Sequence, residues 1–260
     1  MELIILGSGT AAPSLRRGAP GYLLRLGGDR VVLETGCGTM ARLLQAGVSH
    51  DQVSHILYSH NHLDHTGELA SWLFTSRIPV SARTAPLTIA GSAGFMRMLA
   101  SLRALYGHWL DAATYTLNLV TLSGGDGHGD GAAGPVVSFG SWSVQAFPVS
   151  HIESSLAYRI TDDCGKVLAF TGDSDRCESL VEMARGADLL LIEASSPDER
   201  KIEGHLTPSE AGEIARRAGV GRVVLTHFYP ACDQADMLEQ LRRTYDGEAV
   251  LAEDGMRLTV

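Results

Sequence analysis

A chain of 260 residues with 45% hydrophobic content can bury a large core, and residues 1–260 are expected to form one α/β domain. A net charge of −9 argues against broad, salt-driven adhesion to nucleic acid and favours a smaller anionic partner. Cys37, Cys164, Cys177 and Cys232 are scattered with no C-x-x-C pair, which excludes a zinc ribbon or dithiol motif and leaves free thiols.

The opening apolar run, Leu3 to Leu6, is too short and lacks the basic flank of a signal peptide. No apolar stretch reaches membrane length, so a cytoplasmic protein without a membrane partner is expected. Gly7-Ser8-Gly9-Thr10 lacks the lysine of a P-loop and any full dinucleotide fingerprint. It reads as a tight turn, with no nucleotide cofactor implied. Gly36 and Gly38 are turn residues leading into a short helix, Met40 to Ala46.

A β-like stretch, Val53 to Tyr58, then runs straight into Ser59-His60-Asn61-His62-Leu63-Asp64-His65. Imidazole and carboxylate are the donors that divalent transition metals prefer. An extended segment sends alternate side chains the same way, so His60 and His62 share a side while Asp64 and His65 turn toward a second position. One hydrolytic ion needs three protein ligands plus water, so four donors here, with more downstream, point to two ions.

Periodicity predicts helices over Glu68 to Thr75 and Ala93 to Tyr106. Ser123 to Pro135 is glycine-rich and reads as a mobile surface loop. Asp126, His128 and Asp130 within it only superficially suggest a metal loop, because no Glu completes an EF-hand pattern.

Three further candidate donors each end a predicted strand. His151 follows Val144 to Val149, Asp173 follows Val167-Leu168-Ala169 within Phe170-Thr171-Gly172-Asp173, and His227 follows Val223-Val224-Leu225-Thr226. Strand ends on one sheet edge converge in space, where α/β proteins place their sites. Helices are also predicted over Ser179 to Ala184, Ser209 to Ala218 and Gln234 to Tyr245, with Thr207-Pro208-Ser209-Glu210 as a capped start. This interleaving favours two packed sheets flanked by helices, residues 1–135 supplying one sheet and 136–260 the other. His50, His55 and His108 match no motif. Arg16, Arg17, Arg25 and Arg30 read as scattered surface arginines, with an anion-steering lip as the alternative.

In order and spacing, several segments together resemble the metallo-β-lactamase superfamily, and within it the ribonuclease Z-like branch of metal-dependent phosphodiesterases. They are Leu6-Gly7-Ser8-Gly9-Thr10-Ala11-Ala12-Pro13, Leu33-Glu34-Thr35-Gly36-Cys37-Gly38-Thr39, the histidine run, His151 with Tyr158-Arg159-Ile160, Thr171-Gly172-Asp173, Glu193-Ala194-Ser195, Gly204-His205-Leu206-Thr207 and Leu225-Thr226-His227-Phe228. The resemblance implies a four-layer αββα sandwich. It also implies that His60, His62 and His151 hold one ion, Asp64, His65 and His227 the other, and that Asp173 bridges them. Zinc is the expected metal, with manganese or iron able to occupy the same donors. In related flavodiiron proteins the second histidine of the run is usually a carboxylate, which His62 is not, so oxygen reduction is disfavoured.

The same resemblance makes His205 the general acid, with Glu193 orienting or charging it and Asp64 orienting the attacking water. Glu34 stands where an aspartate is usual, and its extra methylene is expected to loosen support of the histidine loop. Ribonuclease Z proteins commonly insert a long Gly/Pro-rich arm that grips transfer RNA, and residues 152–171 leave no room for it. The leading expectation is a phosphodiesterase on small or cyclic phosphodiesters. Transfer RNA 3′ processing is the nearest variant, and hydrolysis of thioesters, lactones, sulfate esters or β-lactams the runner-up. A non-catalytic metal-binding member is the third reading, and the complete donor set argues against it. A homodimer is implied by resemblance alone.

Overall fold

Alternation along the first strand already requires two flanking layers. In β1 (Glu2–Gly7), Leu3 and Ile5 face one way and Ile4 and Leu6 the other, and all four are buried. A strand buried on both faces lies between layers. The computed structural model describes residues 1–124 and 131–260, so Asp126, His128 and Asp130 of the glycine-rich loop expected over Ser123 to Pro135 lie outside the described residues.

The first sheet also contains β2 (Gly21–Leu26), β3 (Asp29–Leu33), β4 (His55–Tyr58), β5 (Leu87–Gly91) and β6 (Leu117–Thr121). The second is built from β7 (Val136–Ser138), β8 (Trp142–Pro148), β9 (Leu156–Asp162), β10 (Val167–Phe170), β11 (Leu189–Glu193), β12 (Arg222–Thr226) and β13 (Glu248–Leu251). Their orders are β14-β1-β2-β3-β4-β5-β6, where β14 is Arg257–Thr259, and β13-β12-β11-β10-β9-β8-β7. Strands β3 to β6 run parallel, as do β10 to β13.

Leu3, Ile5, Tyr22 and Leu24 meet Val144, Tyr158, Ile160 and Leu191 in the core between the sheets. Outside the first sheet, Ile4, Leu23, Val32 and Ile56 pack against α1 (Thr39–Gln45), α3 (Leu69–Thr75) and α4 (Ala93–Tyr106) through Leu43, Trp72, Phe95 and Leu99. Between α1 and α3 lies the single turn α2 (Leu63–Thr66). The second sheet is covered by α5 (Glu178–Ala184), α6 (Pro208–Ala218) and α7 (Met237–Arg242), which bury Leu180, Ala211 and Leu241. The result is the four-layer αββα sandwich. At about 1.5–3 kcal/mol per fully buried Leu or Ile, this core holds the strand ends rigid.

Most predicted elements form within a residue or two. Helix α4 matches its predicted bounds because Ser92 caps it, accepting from the Phe95 amide at 3.2 Å. Two expectations are corrected. The helix over Gln234 to Tyr245 is shorter: a 3₁₀ turn spans Pro230–Gln234, and Asp236 then caps α7 through the Glu239 amide. The two halves do not each keep to one sheet, since β14 crosses to pair with β1, Leu3 opposite Leu258. The arginine lip does not form as a set. Arg16 and Arg17 bind Asp233, Arg25 binds Glu2, and Arg17 is buried.

Candidate metal centre

The carboxyl ends of β4, β8, β10, β11 and β12 lie on one edge, and the candidate residues follow them. Leaving β4, His60 is buried, and His62 is extended as the residue before α2. Asp64 and His65 belong to that helical turn, which brings them toward His227 as well as Asp173. Backbone contacts hold it there, with Thr35 N–H donating to the His65 carbonyl at 2.7 Å. At Gly36 a Cβ would lie 2.3 Å from the Asp64 carbonyl oxygen, so only glycine admits this approach.

Asp173 is the geometric centre. Its Oδ2 lies 3.2 Å from His65 Nε2, 3.7 Å from His60 Nε2 and 3.9 Å from His151 Nε2, and its Oδ1 lies 3.4 Å from His227 Nε2. Gly172 places it there with φ +56°, where a Cβ would meet that of Ser59 at 2.6 Å. Asp64 Oδ2 lies 3.5 Å from His227 Nε2 and 3.7 Å from His65 Nε2. His62 Nδ1 and His151 Nε2 are 3.1 Å apart. Two donor clusters result, His60, His62, His151 and Asp173 in one and Asp64, His65 and His227 in the other. Asp173 reaches both, and such clusters are typical of a dinuclear metal site.

The far nitrogen of most of these rings is tied down. His151 Nδ1 donates to the Gly204 carbonyl at 2.8 Å, which leaves the Nε2 lone pair facing Asp173. His60 Nδ1 meets Ser59 Oγ at 2.9 Å, and His227 Nδ1 meets Ser195 Oγ at 2.9 Å. His227 holds φ +61°, a conformation that costs energy for a residue with a Cβ. The Phe228 amide donates to Ser8 at 3.0 Å and Arg17 stacks over the Phe228 ring at 4.5 Å, which fix it.

Electrostatics divide the site. Burial, together with neighbouring imidazoles, pushes His60 well below the ordinary histidine pKa and lowers His62 and His151, keeping them neutral and able to donate lone pairs. Burial also opposes charge on His65, but Asp173 and Glu34 outweigh it and raise its pKa. Burial works against the Asp173 carboxylate too, yet His227 and His65 hold it well below the usual range. Buried His60 Nε2, His65 Nδ1, Asp173 Oδ1 and Glu34 Oε2 all lack hydrogen-bond partners. Each such atom costs about 1–3 kcal/mol. Cations between the clusters would satisfy His60 Nε2 and Asp173 Oδ1, so the residues present fit divalent metal.

His205 and Glu193 adjoin the clusters. His205 Nδ1 donates to Glu193 Oε1 at 3.0 Å, and burial, which lowers the His205 pKa, is overcome by that carboxylate. His205 also lies with Asp173 and His227 in a third group of donors. Its start-of-helix neighbourhood is present as well, since Thr207 and Glu210 form the capping box of α6. Glu34 accepts from the Ser59 amide at 2.8 Å, but its second oxygen stops 3.7 Å from His65 Nδ1, beyond a hydrogen bond.

One residue carries more than its sequence signal suggested. Ser195 Oγ donates to Glu193 Oε2 at 2.5 Å and touches His205 Nδ1 at 3.2 Å as well as His227. It was visible only as the third residue of Glu193-Ala194-Ser195, because its partners lie ten and 32 residues away.

Known proteins resemble this chain in sequence and fold. Residues 29–228 match the model of the beta-lactamase superfamily domain. A ribonuclease Z of Mycobacterium bovis is 30% identical over 245 residues, covering 89% of this chain and 87% of that protein. Among solved structures, the metallo-beta-lactamase fold protein YhfI from Bacillus subtilis superposes with a TM-score of 0.82 at 21% identity, over 99% of this chain and 98% of that one. Human tRNase Z, short form, gives 0.77 at 25% identity, over 100% and 99%. The chain belongs to the metallo-β-lactamase superfamily, and it carries His/Asp clusters of the kind typical of a dinuclear metal site.

Proposed function

We propose that the protein is a dinuclear metal-dependent phosphodiesterase acting on small anionic phosphodiesters. The observation that carries this reading is the pairing of two donor clusters across Asp173 with a buried Glu193–His205 couple beside them. His60, His62, His151 and Asp173 would hold one ion, and Asp64, His65 and His227, with Asp173, the other. Zinc suits these histidine-rich donors. Divalent ions held there supply Lewis acidity toward an ester oxygen and lower the pKa of water.

The chain's own groups supply the rest. Asp64 is held below the ordinary carboxylate pKa, burial being outweighed by the His227 and His65 contacts, so it stays ionised and accepts a proton of the attacking water. His205, charged against Glu193, gives a proton to the departing oxygen, and Nδ1–H stays committed to Glu193 while Nε2 acts. Leaving-group protonation suits a phosphodiester, whose alkoxide is a poor leaving group.

A second reading, cleavage of RNA, is favoured by the likeness to proteins named ribonuclease Z and tRNase Z. Against it stand the net charge of −9 and the single hairpin β9–β10 between His151 and Asp173, where no arm is inserted. Metal content of protein purified without added metal, with initial rates on bis-para-nitrophenyl phosphate before and after chelation, tests the proposal. Two ions and a chelator-sensitive rate are expected. Two ions with cleavage only of thioesters, lactones or sulfate esters would overturn the phosphodiester assignment and leave the metal site standing.

A further inference from the structure

A cavity of about 320 Å³ lies beside the donor clusters, and the chemistry above does not use it. One wall starts at Asn61, between His60 and His62, and at Ile152, next to His151, so the cavity borders the His62–His151 edge of the site. Facing it are Arg97, Met98 and Ser101 from α4. Arg97 Nη2 approaches Glu153 Oε1 at 3.6 Å, too far for a hydrogen bond, and the two side chains are 66% and 80% exposed. Arg17, Arg103 and Arg217, in contrast, hold carboxylates at 3.0 Å or closer. An ion pair this open adds only about 0–1 kcal/mol to stability, so little is lost when another anion takes the guanidinium. The Glu153 loop is brought to the helix by Gly94, where a Cβ would come within 3.2 Å of Ser154.

We propose that this cavity is a subsite for a second anionic group on the substrate, anchored by Arg97, with Glu153 as the carboxylate that the group displaces. The inference rests on the phosphodiesterase reading and narrows it to phosphodiesters that carry a further phosphate. A planar guanidinium fork matches phosphate oxygens in pairs. The volume exceeds a phosphate and leaves room for the sugar that would join it to the scissile linkage, with Met98 and Ile152 offering apolar contact. In a chain of net charge −9, a local cation at the cleft is what a polyanionic small molecule needs to be held.

The test compares kcat/KM on the dinucleotide TpT with that on pTpT and TpTp, which add one terminal phosphate at either end. Wild-type protein is expected to prefer one of the phosphorylated forms by about five- to tenfold, the worth of a charge-assisted contact in an open cleft. Arg97→Ala should bring that ratio near one and Arg97→Glu below one. Arg103→Ala, a cation on the same helix that pairs with Asp111 outside the cavity, should keep it. Equal rates on all three dinucleotides in the wild type, or a preference that survives Arg97→Ala, overturns the subsite. Calorimetric binding of pTpT and TpTp to chelator-treated protein separates this from failure of the parent reading. If neither dinucleotide is cleaved, Arg97-dependent binding of one of them still supports an anion subsite, and Arg97-independent binding or none removes it.

Discussion

Ser195 Oγ lies 2.9 Å from Nδ1 of His227 and 2.5 Å from Glu193 Oε2, so one hydroxyl joins the acid–carboxylate couple to a candidate metal donor. Because the hydroxyl proton goes to Glu193, the oxygen accepts from His227 Nδ1–H, and the Nε2 lone pair is left toward Asp64 and Asp173. Two functions therefore share a buried side chain with no surface exposure.

Ser195→Ala should weaken binding of one of two metal ions by about 10–100-fold, the usual effect of removing the group that orients a liganding histidine. Competition against a chromophoric chelator measures this, and Ser195→Thr should restore most of the loss. Unchanged affinity at both positions would remove Ser195 from the site's support.

His205→Ala is expected to lower turnover by about 10²–10⁴-fold while two ions remain bound. Loss of an ion instead would make His205 a ligand, in keeping with its place beside Asp173 and His227.

The pH profile carries a sign. His205 works as an acid only while protonated, and Glu193 raises its pKa above the ordinary value despite burial. Activity should persist below that raised pKa and fall as pH rises through it. Glu193→Gln removes the larger of the two carboxylate effects and leaves burial opposed by Asp173, so the alkaline limb of kcat/KM should move to lower pH. A limb that stays in place, or moves up, would assign it to another group.

Metal removal should cost stability, because buried His60 Nε2 and Asp173 Oδ1 then lack partners. Ligand at about 100 times its Kd stabilises by about 2.7 kcal/mol. A domain of this size shifts its Tm by about 2–4 °C per kcal/mol, so chelated protein should melt several degrees lower and recover on adding zinc. Coincident melting curves would count against a fixed metal site.

Glu34→Ala should destabilise by about 1–3 kcal/mol, since it strands the buried Ser59 amide. Glu34→Gln retains an acceptor for that amide and loses only the charge near His65. Denaturant titration of both variants separates the two roles, and equal losses would show that the charge, and not the hydrogen bond, matters.

Sequence carried the donors well because the signal is local. The apolar strand-like runs end at Tyr58, Val149, Phe170 and Thr226, and the donors follow within a few residues, so their convergence on one sheet edge was legible without a structure. The long amphipathic helix Ala93–Tyr106 was legible from its period of 3.6, and Ser92 caps its start. Support of the donors was not. Nothing in Glu193-Ala194-Ser195 announces that the serine reaches both His205 and His227, and nothing near Arg97 announces Glu153.

The chain by itself determined which residue types were present for metal and acid–base chemistry, and in what strand-end context, because those depend on periods of two and 3.6 residues. Only tertiary structure decided three other things: the meeting of Asp64 and His65 with His227, the crossing of β14 to the first sheet, and the 3.7 Å gap between Glu34 and His65. Each depends on packing between segments distant in sequence, where contact is set by the whole fold and local pattern is silent.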